Sequence, residues 1–368
     1  MERPNSPPGS TPSTDNRLEA RHEDAVRDRF VGSLLGGFVG DALGMPVEGL
    51  ATRTIEHRYG LVRDMLDARL GRGTYTDDTE MAISVAESLV ASRRFDGAHM
   101  AARFVAGLDR ARGYGRGTLE ALDRVAAGTP WQRAGAHTYG SGSFGNGSAM
   151  RAGPVGLLFH RDLPEAMEVA RDQSTITHSH PLGRAGAAVM AAGVALAVRW
   201  GTETSHAPGA DSFLGPITAG LLDREHLFDE GLAKVAHVLD QYPGLPKEAS
   251  DKERVESAVC VSAVLGNDAR AFNSVPAALY SFLAHPADPE QALITAVSLG
   301  GDTDTIAAMT GALCGAYCGR QAWPERWIDA LERGPRGRDY VAGLADDLFL
   351  TWLELRSADP LRPERLPG

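Results

Sequence analysis

Apolar residues recur along this chain at helical spacing. Met81, Val85 and Leu89 are four apart, and Ile306, Met309, Leu313 and Ala316 follow a 3, 4, 3 rhythm, the period of one face of an α-helix. Arg27 to Leu43 reads as a Gly-interrupted helix with Phe30, Leu34 and Val39 turned to a core. The longest apolar run, Ala185 to Val198, has 14 residues. That is short for a bilayer span and suits a buried core helix. Ser257 to Leu265 is a short apolar run whose type is ambiguous, although helix fits its neighbourhood. Runs of alternating β-branched residues are few, so the pattern predicts a mainly helical protein with little sheet.

Between these segments the pattern lapses. Residues 1–24 set Pro4, Pro7, Pro8 and Pro12 among Ser, Thr and charged residues with little to bury, and read as a disordered leader. Order is expected from Asp24 or Ala25. Gly, Pro and polar residues mark 201–226 and 241–250 as surface loops. The Gly-rich stretch from Ala111 to Gly147 leads into a polar motif and reads as a functional loop. There is no tandem repeat. Motifs are spread over the whole length, so residues 25–360 read as one domain.

Composition narrows the class. The 368 residues are 43% hydrophobic, enough for a substantial core. Abundant Gly and Ala suit closely packed helices. A net charge of −11 repels phosphate backbones and argues against direct nucleic-acid binding. Cys260, Cys314 and Cys318 make no disulfide framework, which fits a reducing, cytoplasmic setting. Residues 1–30 lack the apolar segment of a signal peptide, and no association with a membrane is expected.

Five polar elements could carry chemistry. Thr76-Asp77-Asp78-Thr79-Glu80 stands directly before the Met81 helix. Gly300-Gly301-Asp302-Thr303-Asp304-Thr305 stands directly before the Ile306 helix. Either alone reads as a capped helix start, where Thr and Asp satisfy free N–H groups and acids complement the dipole. Together, four carboxylates with adjacent Thr oxygens form a hard-oxygen set suited to Mg, Mn or Ca. Should the two helix starts face each other, the acids would repel unless cations lay between them. The third element, Gly40-Asp41-Ala42-Leu43-Gly44-Met45-Pro46-Val47-Glu48-Gly49, ends a helix at Pro46 and leaves Glu48 in a loop. The fourth, Ser141 to Arg151, offers small residues that expose backbone N–H groups to a phosphate. In it Phe144 could stack on a ring, and Met150 and Arg151 could start a helix whose positive end favours an anion. The fifth, Thr177-His178-Ser179-His180-Pro181, suits hydrogen bonding to a polar ligand, together with a capping turn. No Walker loop, Rossmann fingerprint or nucleophile elbow is present.

These five elements, in this order from about Phe30 to Tyr317, resemble the ADP-ribosylglycohydrolase family. That family spans the dinitrogenase reductase-activating glycohydrolase and ADP-ribosylhydrolase types. The matching segments are residues 40–44, 76–79, 145–151, 177–178 and 300–305. The resemblance implies a compact all-α domain of many helices around a central di-metal cleft. It implies two divalent cations, Mg or Mn, held by Thr76, Asp77, Asp78, Asp302, Asp304 and Thr305. By the same resemblance Glu48 matches a position that lies on a mobile loop near the metals in one branch of the family, and Phe144, Gly145, Asn146, Gly147, Ser148 and His178 contact ADP-ribose.

The expected activity is cleavage of the glycosidic bond between ADP-ribose and a modified serine or arginine, or a related conjugate. Asp77 holds metal in that scheme, and Asp304 or Glu48 takes or delivers the proton. The expected partner is an ADP-ribosylated protein or small conjugate, with ADP-ribosylated nucleic acid left open, and the protein is expected to be a monomer. One departure bears on linkage. The arginine-specific branch is expected to carry an Asp three residues before the loop Asn, and Ser143 stands there. Two other classes remain: a non-catalytic ADP-ribose or nucleotide sensor, and a metal-dependent phosphohydrolase acting on the pyrophosphate.

Overall fold

The computed structural model describes residues 14–358. The chain in it is helical throughout: α1 (Thr14–Gly44), α2 (Thr52–Tyr59), α3 (Asp77–Ser92), α4 (Gly97–Gly107), α5 (Arg116–Ala126) and α6 (Trp131–Ala134). Then follow α7 (Gly153–Leu158), α8 (Leu163–Thr175), α9 (Pro181–Glu203), α10 (Ala210–Ala219), α11 (His226–Gln241) and α12 (Asp251–Leu265). The last five are α13 (Ala271–Ala284), α14 (Pro289–Ser298), α15 (Thr303–Cys318), α16 (Glu325–Ala330) and α17 (Arg338–Ala358). Among the described residues there is no β-strand, only isolated antiparallel bridges at Ala51–Gly300 and Gly145–Arg270. The fold is the all-α one expected.

The packing of α1 on α15 organises the molecule, and glycine makes it possible. The two helices run antiparallel with small residues facing each other every fourth position. A Cβ on Gly36 would stand 2.3 Å from the Gly311 carbonyl oxygen, and one on Gly40 would stand 2.0 Å from that of Ala307. Gly315 meets Gly32 in the same way, at 1.9 Å. No side chain fits between these backbones, so the axes approach closely. At the far end of the stripe Gly44 abuts Thr303, and the Thr303 hydroxyl donates to the Gly44 carbonyl at 2.9 Å. The end of α1 is thereby locked to the start of α15.

A single large hydrophobic cluster extends from Val26 to Trp352. At its centre lies α9, buried on all sides from Ala185 to Val198. Both α9 and the Glu19–Val47 stretch are long and apolar enough to cross a membrane by length and composition. Most of each is covered by protein, 83% and 78% of the window, as in core helices.

Three expectations about loops need correction. Helix α1 starts at Thr14, so 14–24 is not a leader; residues 1–13 lie outside the described residues. This extension docks by charge, with Glu19 and Glu23 paired to Arg356 of α17 and Arg27 to Asp346, so an apolar pattern could not reveal it. The 201–226 segment contains the end of α9 and all of α10, whose Phe213, Leu214 and Ile217 are buried despite the surrounding Gly and Pro. The 111–147 stretch contains α5 and α6.

Candidate active site

The site starts at a lone acid. From Phe30 to Met45 the only charged residue is Asp41, fully buried. Its carboxylate accepts from the backbone N–H of Thr76 (3.0 Å) and Thr79 (3.1 Å), and from their hydroxyls at 2.9 and 2.6 Å. Asp41 thus caps α3 from another helix and sets the direction in which Asp77 and Asp78 project. Burial pushes its pKa up to about 6, against those donors, which pull it down.

At the start of α3 the Thr76 hydroxyl oxygen lies 2.9 Å from Asp41 Oδ1 and 3.0 Å from Asp78 Oδ2. It has one proton to give, so it can donate to only one of the two carboxylates. Asp78 is buried, and its Oδ1 has no hydrogen-bond partner. The Thr305 hydroxyl, at the start of α15, donates to Asp78 Oδ2 at 3.3 Å across 227 residues of sequence. The two acidic helix starts do meet.

Their electrostatics follow. Burial and the neighbouring acids push Asp77 up to about 8. Burial, then Asp41 and Asp77, hold Asp78 well above the usual carboxylate range; burial, then Asp78 and Asp302, do the same to Asp304. Glu48 is exposed, yet desolvation and Asp302 raise it too. Carboxylate oxygens of Glu48, Asp302 and Asp304 lie within 4.8 Å of one another. Like charges packed this way, with an orphaned Asp78 oxygen among them, suit a hard divalent cation.

Backbone contacts hold the surrounding loops in register. Gly49 N–H donates to the Gly301 carbonyl at 2.7 Å, and Gly301 N–H to that of Leu50 at 2.9 Å, which joins the Glu48 loop to the Gly300-Gly301 turn. Gly301 has φ +74°, and a Cβ there would stand 2.0 Å from the Asn267 carbonyl oxygen, so only glycine fits. The Asn146 N–H donates to the Ala269 carbonyl at 2.9 Å. Its side-chain amide donates to Asp302 Oδ2 at 2.6 Å and to Ser274 Oγ at 3.0 Å. Asn146 therefore orients an acid.

All of this opens into a cleft of about 760 Å³, counting its mouth. Of the expected site residues, Glu48, Asp77, Asp78, Gly145, Asn146, Gly147, His178, Asp302, Asp304 and Thr305 line it. Thr76 sits behind the acids. Phe144 is not among the lining residues; 42% exposed, it packs edge-on to His180 with ring centroids 5.5 Å apart. Ser148 is fully buried, donating to the Gly183 carbonyl at 3.1 Å and accepting from Ser174 at 2.8 Å. It anchors the loop, and its hydroxyl does not face the cleft. His178 is buried beside Gly145 and Gly147; a Cβ on Gly147 would stand 2.8 Å from its ring. Burial, then the Arg151 charge, push its pKa down to about 3, so His178 is neutral near pH 7.

Two residues behave differently from expectation. Arg151 is fully buried, with its Nε donating to Gln173 Oε1 at 2.7 Å and its guanidinium over the Phe104 ring. The regular helix starts only at Gly153. Glu80 turns away from the other acids and accepts from Asp109 N–H at 2.9 Å and Tyr114 OH at 2.6 Å. Sequence reasoning also missed the role of Asp41, although a lone acid in an apolar helix is a usable signal. It missed Arg69 and Ala269 on the cleft wall, whereas Gly113, Gly115 and Tyr139 there belong to the 111–147 stretch read as a functional loop.

The comparisons with known proteins bear on the family and the fold. The family model for ADP-ribosylglycohydrolase matches residues 22–357. ADP-ribosylhydrolase ARH3 of Mus musculus is 33% identical over 338 residues, covering 83% of this chain and 87% of its own. The ADP-ribosyl-[dinitrogen reductase] glycohydrolase of Rhodospirillum rubrum is 36% identical over 171 residues, 44% of this chain and 55% of its own. A solved ADP-ribosylglycohydrolase-related protein complex is 30% identical with a TM-score of 0.64, covering 89% of this chain and 99% of its own. An all-helical fold, two acidic helix starts brought together at one cleft, and relatives named as hydrolases along nearly the whole length place this chain in the ADP-ribosylglycohydrolase family.

Proposed function

We propose that this hydrolase releases ADP-ribose from a modified protein side chain, serine or arginine, or from a related conjugate, using two divalent cations, Mg or Mn. Thr76, Asp77, Asp78, Asp302, Asp304 and Thr305 would hold the cations. Bound there, the cations would supply Lewis acidity and a template for the sugar hydroxyls. The observation that carries this is the meeting of Asp78 and Thr305 beside an unpartnered Asp78 oxygen.

The chain's own residues account for the rest. Water adds its hydroxyl to the anomeric carbon, the glycosidic bond breaks through an oxocarbenium-like state, and the leaving heteroatom takes a proton. Glu48 or Asp304 handles that proton. Desolvation and the Asp302 charge raise the Glu48 pKa, and its exposure gives it access to the mouth, both of which suit a proton carrier. Neutral His178 and the glycines at 145 and 147 offer hydrogen bonds without adding charge. Asn146 holds Asp302 in place.

Hydrolysis of an ADP-ribosylated peptide, with and without excess chelator, tests this. Chelator should abolish release and added Mg or Mn restore it. Undiminished release in chelator rules the scheme out. Chromatography of the products separates the rival chemistry, since attack on the pyrophosphate would yield AMP in place of intact ADP-ribose. Binding of ADP-ribose with no turnover on serine- or arginine-linked substrates would make the protein a sensor.

A further inference from the structure

A second, smaller pocket lies between α12, α13 and α14, under the loop that joins α11 to α12. It measures about 360 Å³, counting its opening. None of its lining residues lines the active-site cleft. None is acidic, in a chain of net charge −11. Arg254 lines the pocket and is only 7% exposed. Its Nη2 donates to the Pro246 carbonyl at 2.6 Å and to that of Lys247 at 3.2 Å, while its Nε has no partner. Among the described residues no carboxylate comes within 4.0 Å of this guanidinium. The neighbouring Asp251 and Asp288 pair with Arg63 and Lys247 instead, at 2.6 and 2.9 Å. Burial, then the Arg63 charge, lower the Arg254 pKa by more than Asp251, Asp288 and Glu248 raise it. A buried charge without a contact ion is costly, and buried charges in folded proteins are as a rule paired.

We propose that this pocket binds a small monovalent anion of the chloride class, with Arg254 as its counter-charge. One guanidinium balances one negative charge, and a dianion would stay half unpaired. Leu245 and Ile294 on the wall suit a weakly hydrated ion. The Ser298 and Tyr280 hydroxyls donate to the Ile294 and Tyr242 carbonyls, which leaves Thr295 and His285 on the wall as further donors. Bound there, the ion ties α12 to α14 and stabilises the folded chain by mass action.

The test follows the unfolding temperature as sodium chloride replaces sodium gluconate at constant ionic strength, in chelator so that cations in the cleft take no part. The wild-type Tm should rise by roughly 2 °C and level off, and bromide should act as chloride does. Arg254→Met should lose the rise. Thr295→Asp places a carboxylate inside the pocket, where it stands in for the ion, and should cancel the chloride response as well. A wild-type Tm indifferent to chloride means that water alone fills the pocket, and overturns the proposal. The same saturable rise in Arg254→Met overturns it too, because the ion would then bind elsewhere. Should Arg254→Met fail to fold, Thr295→Asp decides: an undiminished chloride response in that variant overturns the proposal.

Discussion

The chemical role proposed for Asp304 would come at a cost to stability. The side chain is buried against Asp78 and Asp302 and held well above the usual carboxylate range by that burial and those charges. An isosteric amide removes the repulsion while keeping the shape. In chelator, Asp304→Asn should unfold at the wild-type temperature or higher, and added Mg or Mn should raise its Tm less than it raises that of wild type. Its turnover should fall by several orders of magnitude. A Tm several degrees lower in chelator would make Asp304 a structural residue. Asp41 should behave in the opposite way. Four donor groups depend on it, and removing it leaves them unsatisfied.

Among the helices, the α1–α15 contact decides where the acids stand. Gly311 and Gly37 are both helical glycines, one on the contact stripe and one beside it. A Cβ on Gly311 would stand 2.0 Å from the Gly36 carbonyl oxygen, whereas one on Gly37 would find its nearest neighbour at 3.7 Å. Gly311→Ala should therefore force the helices apart and cost about 1–3 kcal/mol. Gly37→Ala should gain about 0.5–1 kcal/mol, because alanine loses less backbone entropy in a helix. Denaturant unfolding of the two variants checks both signs. Activity in Gly311→Ala should fall further than stability accounts for, because α15 carries Asp304 and Thr305 at its first turn. The helix pattern of α1, α3, α9 and α15 was legible from apolar spacing. Helix α10 was not, since Gly and Pro outweighed three apolar positions, and the 14–24 extension was not, since charged pairs hold it.

For the protein as a whole, buried imidazoles set the acid limit. Burial pushes His160 and His178 down to about 3, and His285 to about 4. The unfolded chain takes up a proton at each near pH 6.5, which the folded chain refuses. Stability from these groups is therefore whole above pH 6.5 and is lost as the pH falls toward those lower values, by about 1.4 kcal/mol per pH unit for each histidine. His160 packs its ring against Phe30 and Trp352. His160→Phe should remove one share of this dependence. Between pH 6.5 and pH 5, urea unfolding should show the variant losing about 2 kcal/mol less than wild type. Equal losses would show that His160 does not contribute.

The residue order alone carried the helical class, the core helix at 185–198 and the two acidic helix starts, because each is written in neighbouring residues with a known period or capping chemistry. It also carried the family resemblance, through five short motifs in a set order. Tertiary structure alone decided that Asp78 faces Thr305, that Asn146 serves Asp302, that Glu80 and Ser148 turn away, and that Arg69 lines the cleft. Those outcomes depend on how closely two backbones approach along a glycine stripe and on which buried groups find partners. Neither is a property of any local stretch of chain.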